Sequence, residues 1–519
     1  MKQLGSPRKS VNWNGPLRAV VLMALLLPLF GGLSQPLGSG IHATPQAQPI
    51  LMQMAAQRPN DGVDVIVQKA TKSNSPEAMV EQLGGKVTRD LSIINAFSAQ
   101  MSAQAAVQLA SAEAVRWVSL DAPTVQSVAP CPAPCIDVDN LNSLYPKTTG
   151  ANRLWNTAPY LQGQGVGVAV LDSGIDSVND LRGALYNGSR IVRHVTFVGN
   201  SNSVNDIYGH GTHVAGIIGG NGADSSGRYI GVAPRVNLIS VKVSDDQGLG
   251  RTSDVVAGLQ WILQNKTLYN IRVVNISLNS NLAESYHTSA LDAACEVLWF
   301  NGIVVVTSAG NNGTGTLFPP ANDPFVITVG AADEQGTVSA TDDTTAVFSA
   351  SGLTADGFSK PDLVAPGRYI TSLRPNSRSN LSRDHPEGLV SGFVGSESYF
   401  RMSGTSVAAP IVAGAAALLL QDEPTLTPDQ VKYRLKATAI GDPLRWAGYD
   451  PLRAGAGYLD IYAAVNGSTT QSANTGTQAS MLLWTGNQPV TWGSVNWNSV
   501  NWNSVNWNSV NWNSDYWGQ

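Results

Sequence analysis

The sequence predicts an α/β protein, a parallel sheet covered by helices in three layers, preceded by a small α+β unit. Three observations predict it. From Val166 to Ala331, nearly continuous apolar runs alternate with helical patterns, as buried parallel strands do. The first of these runs, Val166–Leu171, ends on the acid Asp172, and sites in such sheets gather at the carboxyl ends of strands. Before it, residues 61–121 read as strand, helix, strand, strand, helix, strand.

The elements follow in order. Lys2, Arg8, Lys9 and Arg18 precede an apolar run from Ala19 to Phe30 that ends in Gly, Ser and Pro. That is the pattern of a secretory signal over 1–43, too short for a comfortable membrane span; an uncleaved anchor is the rival reading. Residues 44–60, rich in Pro, Gln and Ala, read as a linker. In 61–121, Val63–Val67 is a strand and Ser75–Leu83 a helix stopped by Gly84 and Gly85. Lys86–Thr88 and Ile93–Met101 are strands, Ala103–Ala112 a helix and Val115–Val118 the last strand, an order of the ferredoxin-like kind.

The main domain is expected over 145–466. Its strands and helices are Ala151–Trp155, Val166–Leu171, His213–Gly219, Val236–Val243, Thr252–Gln264, Val273–Leu278, Ala290–Phe300, Ile303–Ala309 and Phe325–Ala331. A long polar loop between Ser372 and Phe400 reads as a surface insertion near the cleft rim. Thr427 caps a helix that begins at Pro428. Residues 467–494 read as a polar linker, and 495–519 as a tail in which Val495-Asn-Trp-Asn-Ser499 recurs to Ser514. A period of five turns successive Val and Trp side chains to opposite faces of a strand, which excludes a one-sided amphipathic strand. The tail is either a low-complexity appendage or a set of tryptophans for a cell-surface or glycan partner.

Composition narrows the class. Hydrophobic residues make 43% of 519, an ordinary globular share, while charged residues make only 13%. A net charge of −5 without a basic cluster excludes nucleic acid as a partner. Of three cysteines, Cys131 and Cys135 flank prolines in Pro-Cys-Pro-Ala-Pro-Cys, where a small-loop disulfide and two thiols are equal readings. Cys295 lies in a helical pattern as a small buried residue.

The chemistry begins at Arg401-Met-Ser-Gly-Thr-Ser406-Val-Ala-Ala-Pro410, small residues running into an apolar helix. Pro410 reads as lying in an early, tolerant helical turn, and Ser406 falls near the helix N-terminus, where free N–H groups favour a developing anion. A serine needs a base and an orienting acid to act as a nucleophile. Asp172-Ser-Gly174 and Gly209-His210-Gly-Thr-His213 supply candidates.

These three motifs together, in the order Asp, His, Ser, resemble the subtilisin-like serine peptidases, the subtilases. The resemblance covers about residues 148–465. It implies a subtilisin-like three-layer domain with Asp172, His210 and Ser406 as catalytic triad and His213 as a structural histidine. Ser308-Ala-Gly-Asn311 is similar to the segment carrying the family's oxyanion asparagine, so Asn311 joins the catalytic set. Losing such an asparagine costs about 10²–10³ in kcat, a figure taken from subtilisin itself. Gly248, Leu249 and Gly250 resemble the edge strand that pairs with an extended peptide, and Ser277, Leu278 and Asn279 the opposite wall. The family has two glycines where Asn279 and Ser280 stand. Phe318 aligns with a small residue at the base of the S1 pocket, which implies a short pocket and small P1 side chains, and Pro320 aligns with a cis-proline. Asp180 aligns with one calcium ligand, but Asn221–Arg228 departs from the usual ligand loop, so structural calcium stays open and no cofactor is required for the chemistry. Residues 61–121 resemble the inhibitory propeptide, with autocleavage expected between Ser119 and Asp137.

The resulting expectation is a secreted, extracellular serine endopeptidase, monomeric, made as an autoprocessed zymogen, with proteins or peptides and its own propeptide as partners. Two alternatives stand beside it: a narrow-specificity processing protease, and a surface binding protein on a peptidase scaffold. The second lacks its usual mark, the loss of a catalytic group.

Overall fold

The computed structural model describes residues 46–121, 135–183, 188–199, 203–375, 379–390 and 398–484. The signal segment 1–43, Cys131 and the repeat tail 495–519 lie outside the described residues. The chain divides into two compact units, Met1–Ser127 and Val128–Gln519.

The first unit contains α1 (Pro49–Gln57), β1 (Gly62–Lys69), α2 (Ser75–Gln82), β2 (Lys86–Leu91), β3 (Ala96–Ser102), α3 (Ala103–Leu109) and β4 (Val115–Leu120). The strands form an antiparallel sheet in the order β2-β3-β1-β4. Val63, Val65 and Val67 are buried on one face of β1, the period of two that a half-buried strand requires. Ser102 caps α3 by accepting the Ala105 N–H at 3.2 Å. Two readings are corrected. Residues 44–60 are not a plain linker, because Pro49 starts helix α1, whose Leu51, Met54 and Ala55 pack on the core. Ile93 is not in a strand: residues 92–94 form a turn, Asn95 takes a left-handed conformation, and β3 begins at Ala96.

The second unit begins with α4 (Tyr145–Thr148) and α5 (Asn152–Trp155). Then come β5 (Gly167–Asp172), β6 (Ile191–Thr196), α6 (His210–Gly219), β7 (Asn237–Lys242), α7 (Thr252–Asn265) and β8 (Ile271–Ile276). After them come α8 (Ala290–Phe300), β9 (Val304–Ser308), β10 (Ile327–Asp333) and β11 (Thr344–Thr345). A ribbon of β12 (Gly352–Leu353) and β13 (Ser359–Lys360) precedes β14 (Leu363–Pro366), β15 (Ile370–Leu373), α9 (Asn380–Asp384) and β16 (Tyr399–Met402). The long helix α10 (Thr405–Asp422) and α11 (Pro428–Thr438) follow.

The sheet runs β11-β10-β9-β8-β5-β7-β6, with β14 also on β10. Every pairing in it is parallel except β10 with β11. Val168, Ala169, Val170 and Leu171 of β5 are all buried, so the strand is apolar on both faces. Strand β6 went unread because it is an edge strand, mostly half-exposed, with Arg193 and His194 in place of an apolar run.

Helix α10 is the helix among the described residues with the length and hydropathy to cross a membrane, and it is buried in the core. Residues 467–484, expected as linker, are docked on the domain. Arg434 donates to the Thr469 carbonyl at 2.8 Å, and Asn474 donates to Asp429 at 2.6 Å. The Ser480 N–H donates to Glu296 at 2.7 Å, and Ala479 and Ser480 are fully buried.

Candidate active site

Asp172 is the last residue of β5 and is buried. Its carboxylate faces His210 Nδ1, with Oδ1 at 2.8 Å and Oδ2 at 2.9 Å. Oδ1 also accepts the Ser173 N–H at 2.8 Å. His210 is the first residue of α6. Burial alone would push its pKa down, but the charge and hydrogen bond of Asp172, with the charge of Asp206, outweigh it and the net shift is upward. An imidazole held this way presents Nε2 outward and can take a proton near neutral pH.

Asp206 was missed by sequence reasoning. It is fully buried, and it accepts the Gly209 and Thr212 N–H groups and the Ser173 hydroxyl, each at 2.7 Å. It thus satisfies the open N–H groups at the start of α6 and fixes the turn that carries His210. The readable signal was an acid just ahead of an apolar helix. His213, three residues on, is fully buried, with Nε2 3.1 Å from the Phe400 carbonyl. Burial and the neighbouring His210 push its pKa down to about 3, so it stays neutral.

Ser406 is the second residue of α10, half-buried at the helix N-terminus. Thr405, before it, orients Asn311: Asn311 Oδ1 accepts the Thr405 N–H at 2.9 Å and hydroxyl at 3.1 Å. The Thr405 hydroxyl oxygen in turn accepts the Gly310 N–H at 3.0 Å. With Oδ1 so engaged, the Asn311 Nδ2 donor faces the other way. A Cβ at Gly404 would stand 3.0 Å from Ser406 Oγ and 3.3 Å from that Nδ2, so a glycine keeps the space between hydroxyl and amide open.

Pro410 lies inside α10 rather than in its first turn. It has no N–H, so the helix cannot satisfy the carbonyl four residues back, that of Ser406. Ser277, just beyond β8, donates its hydroxyl to that carbonyl at 2.8 Å, and Asn275 Nδ2 donates to Ser277 Oγ at 2.8 Å.

The structure brings Asp172 to His210, and Asn311 and Ser277 to the Thr405–Ser406 turn. It places no hydrogen bond between Ser406 and His210 among the described residues; such bonds often tighten only when substrate binds. Of the expected peptide-binding residues, Leu249 is 70% exposed and Leu278 packs on the core. Asn279 Nδ2 donates to the Ser308 carbonyl at 3.0 Å. Gly250 pairs with Ser244, and Gly248 lies against the Tyr208 ring. Phe318 is half-buried, and the Pro319–Pro320 bond is cis.

Calcium at Asp180 does not fit these residues. Its Oδ1 accepts the Asp224 N–H at 2.7 Å and its Oδ2 the Tyr399 hydroxyl at 2.6 Å. The buried Arg190 guanidinium donates to the carbonyls of Asp180 at 2.6 Å, Arg182 at 3.0 Å, Gly219 at 2.5 Å and Val236 at 3.1 Å. A fixed cation already fills the oxygens there, and burial pushes Asp180 up to about 6. Among the described residues, no group of three or more His, Cys, Asp or Glu side chains could hold a metal ion.

A family model for Peptidase S8, the subtilase family, matches residues 163–479. Serine protease AprX of Bacillus subtilis (strain 168) is 42% identical over 319 residues, covering 59% of this chain and 67% of its own length. Subtilisin E of the same strain is 31% identical over 382 residues, covering 71% of this chain and 82% of its own. The solved structure of a cold adapted subtilisin-like serine proteinase is 31% identical, covers 58% of this chain and 90% of its own, and has a TM-score of 0.43.

Proposed function

The chain belongs to the subtilase family and is a serine endopeptidase of the subtilisin type; on that premise we propose that it is secreted as a zymogen and cleaves proteins through Asp172, His210 and Ser406. The observation that carries this reading is the pair of buried Asp172, at the end of β5, with His210, at the start of α6, a helix packed against α10, which bears Ser406. In this mechanism His210 Nε2 takes the proton of Ser406 as its oxygen attacks the scissile carbonyl, then gives it to the leaving amine. Asp172 holds the imidazole tautomer and stabilises the imidazolium. The Asn311 Nδ2 and Ser406 N–H donors meet the oxyanion, with Thr405 fixing the amide's direction. The first unit is read as the inhibitory propeptide, and the apolar segment at Ala19–Phe30 supports export.

The test is casein hydrolysis by the secreted enzyme, with phenylmethylsulfonyl fluoride added in parallel. The expected result is loss of hydrolysis with one sulfonyl adduct on Ser406 in the peptide map, and hydrolysis undiminished by EDTA. Undiminished hydrolysis with Ser406 unmodified overturns the assignment.

A pH dependence follows from His210. A raised pKa means that the proton is held more tightly, and only the neutral imidazole can act as base. The acid limb of kcat/KM is therefore expected above pH 6.5, the ordinary histidine value. A limb at or below that value would count against the Asp172–His210 pair as the titrating unit.

A further inference from the structure

The long loop between β15 and β16 was read from sequence as a tolerated surface insertion. Its described part makes specific contacts with the segment leading to His210 and with the loop after β7. The Asn380 N–H donates to the Ile207 carbonyl at 2.8 Å and the Leu381 N–H to the Tyr208 carbonyl at 3.1 Å. Asn380 Nδ2 donates to the Asp246 carbonyl at 2.6 Å. Arg383 holds that amide in direction by donating to Asn380 Oδ1 at 3.0 Å. Ser379 is buried against Gly209, where an added Cβ would come within 2.7 Å of the Ser379 Cβ.

The loop that Asn380 grips is otherwise closed on itself. Asp245 Oδ1 accepts the Gln247 and Leu249 N–H groups, both at 2.9 Å, and the Asp245 N–H donates to the Leu249 carbonyl at 2.8 Å. Its inner anchor is Lys242, buried at the end of β7, which donates to Asp246 at 3.0 Å and to the Asn205 carbonyl at 2.7 Å. Asn380 anchors it from the side of the insertion. The backbone of Ile207–Tyr208 and the loop Asp245–Gly250 are thus tied together by Asn380 on the side of the insertion, as Lys242 ties the loop to Asn205 on the inner side.

We propose that Asn380 is a positioning residue for substrate, setting the peptide-binding loop Gly248–Leu249–Gly250 against the turn that carries His210. The proposal rests on the triad reading above and on those three residues being the edge that an extended peptide pairs with. It makes a specific demand. Substrates that reach the loop must feel Asn380, and substrates too short to reach it must not. The separation follows from Asn380 bonding to the loop and to Ile207, three residues before His210, without touching Asp172, His210 or Ser406.

The experiment uses succinyl-(Ala)n-p-nitroanilides with n from one to four on the mature enzyme, its Asn380→Ala and Asn380→Asp variants, and phenylmethylsulfonyl fluoride labelling throughout. Asn380→Asp keeps the side-chain shape and removes the donor, which guards against a packing defect in the alanine variant. The expected result is a kcat/KM about tenfold lower at n of four, the cost of one hydrogen bond to the loop, carried by KM, with n of one and the labelling rate unchanged. Equal losses at every length, or none at n of four, overturn the proposal while labelling of Ser406 keeps the triad reading intact. A wild-type enzyme that neither labels nor cleaves takes both down.

Discussion

Ser406→Ala is expected to leave a folded protein that no longer hydrolyses casein and keeps residues 61–121 covalently attached. The kcat loss should be on the order of 10⁶, the drop found for the corresponding serine in subtilisin. The substitution removes one hydroxyl and nothing else that holds the site. Ser406 N–H stays in place as an oxyanion donor, its carbonyl keeps the Ser277 bond, and alanine is at least as good a helix residue. Activity of about 10³–10⁴ over water should survive from the oxyanion donors and substrate binding alone. The measurement is intact mass of the secreted product beside casein hydrolysis. A variant that still releases the first unit at the wild-type rate would mean that another protease does the processing. A variant that still hydrolyses casein would mean that the nucleophile lies elsewhere.

The second large effect is expected from Asp172→Asn, about 10⁴ in kcat with KM and thermal midpoint nearly unchanged. The reason lies in the tautomer rather than in shape. Both oxygens of Asp172 face His210 Nδ1, so that nitrogen carries the proton and Nε2 is left to accept one. An asparagine of equal size can turn its NH₂ toward Nδ1, which moves the imidazole proton to Nε2 and aims a donor at Ser406. Steady-state kinetics on a p-nitroanilide decide it. A loss under tenfold would remove Asp172 from the mechanism. A large loss accompanied by a fallen midpoint would mark it as a structural acid instead.

Much of this was legible in the sequence, for physical reasons. Strands β5, β7, β8, β9 and β10 are covered on both faces, so each is a nearly unbroken apolar run that stands out from its neighbours. Asp172, His210, Asn311 and Ser406 sit at element ends among glycines, where local chemistry is constrained enough to read. What failed lacked such a signature. Strand β6 has an exposed face, and α1 hides its apolar stripe in a Pro- and Gln-rich stretch. The strap at 467–484 has a linker's composition, yet it docks through hydrogen bonds to Thr469, Asn474 and Ser480, which hydropathy does not register. Asp206 acts on the chemistry through Ser173, the α6 turn and its charge near His210, relations set by the fold. The surroundings of Asp180 were not legible either, because its Oδ2 is taken by Tyr399, distant in sequence, and its carbonyl by Arg190.

The place of Pro410 has a mechanical consequence. In an ordinary helix the first turn is wound onto the second, and anything that bends or frays the helix displaces what its first turn carries. Here the proline cuts one of those internal ties, and the Ser406 carbonyl is fastened to the loop after β8 through Ser277 instead. Thr405 is fastened to the loop after β9 through Asn311, and the Gly404 N–H to the Gly367 carbonyl just past β14 at 2.8 Å. Ser406 therefore rides on the frame of strands as well as on the rod behind it. The position of Ser406 is thus set by three loops of the sheet as well as by the winding of α10.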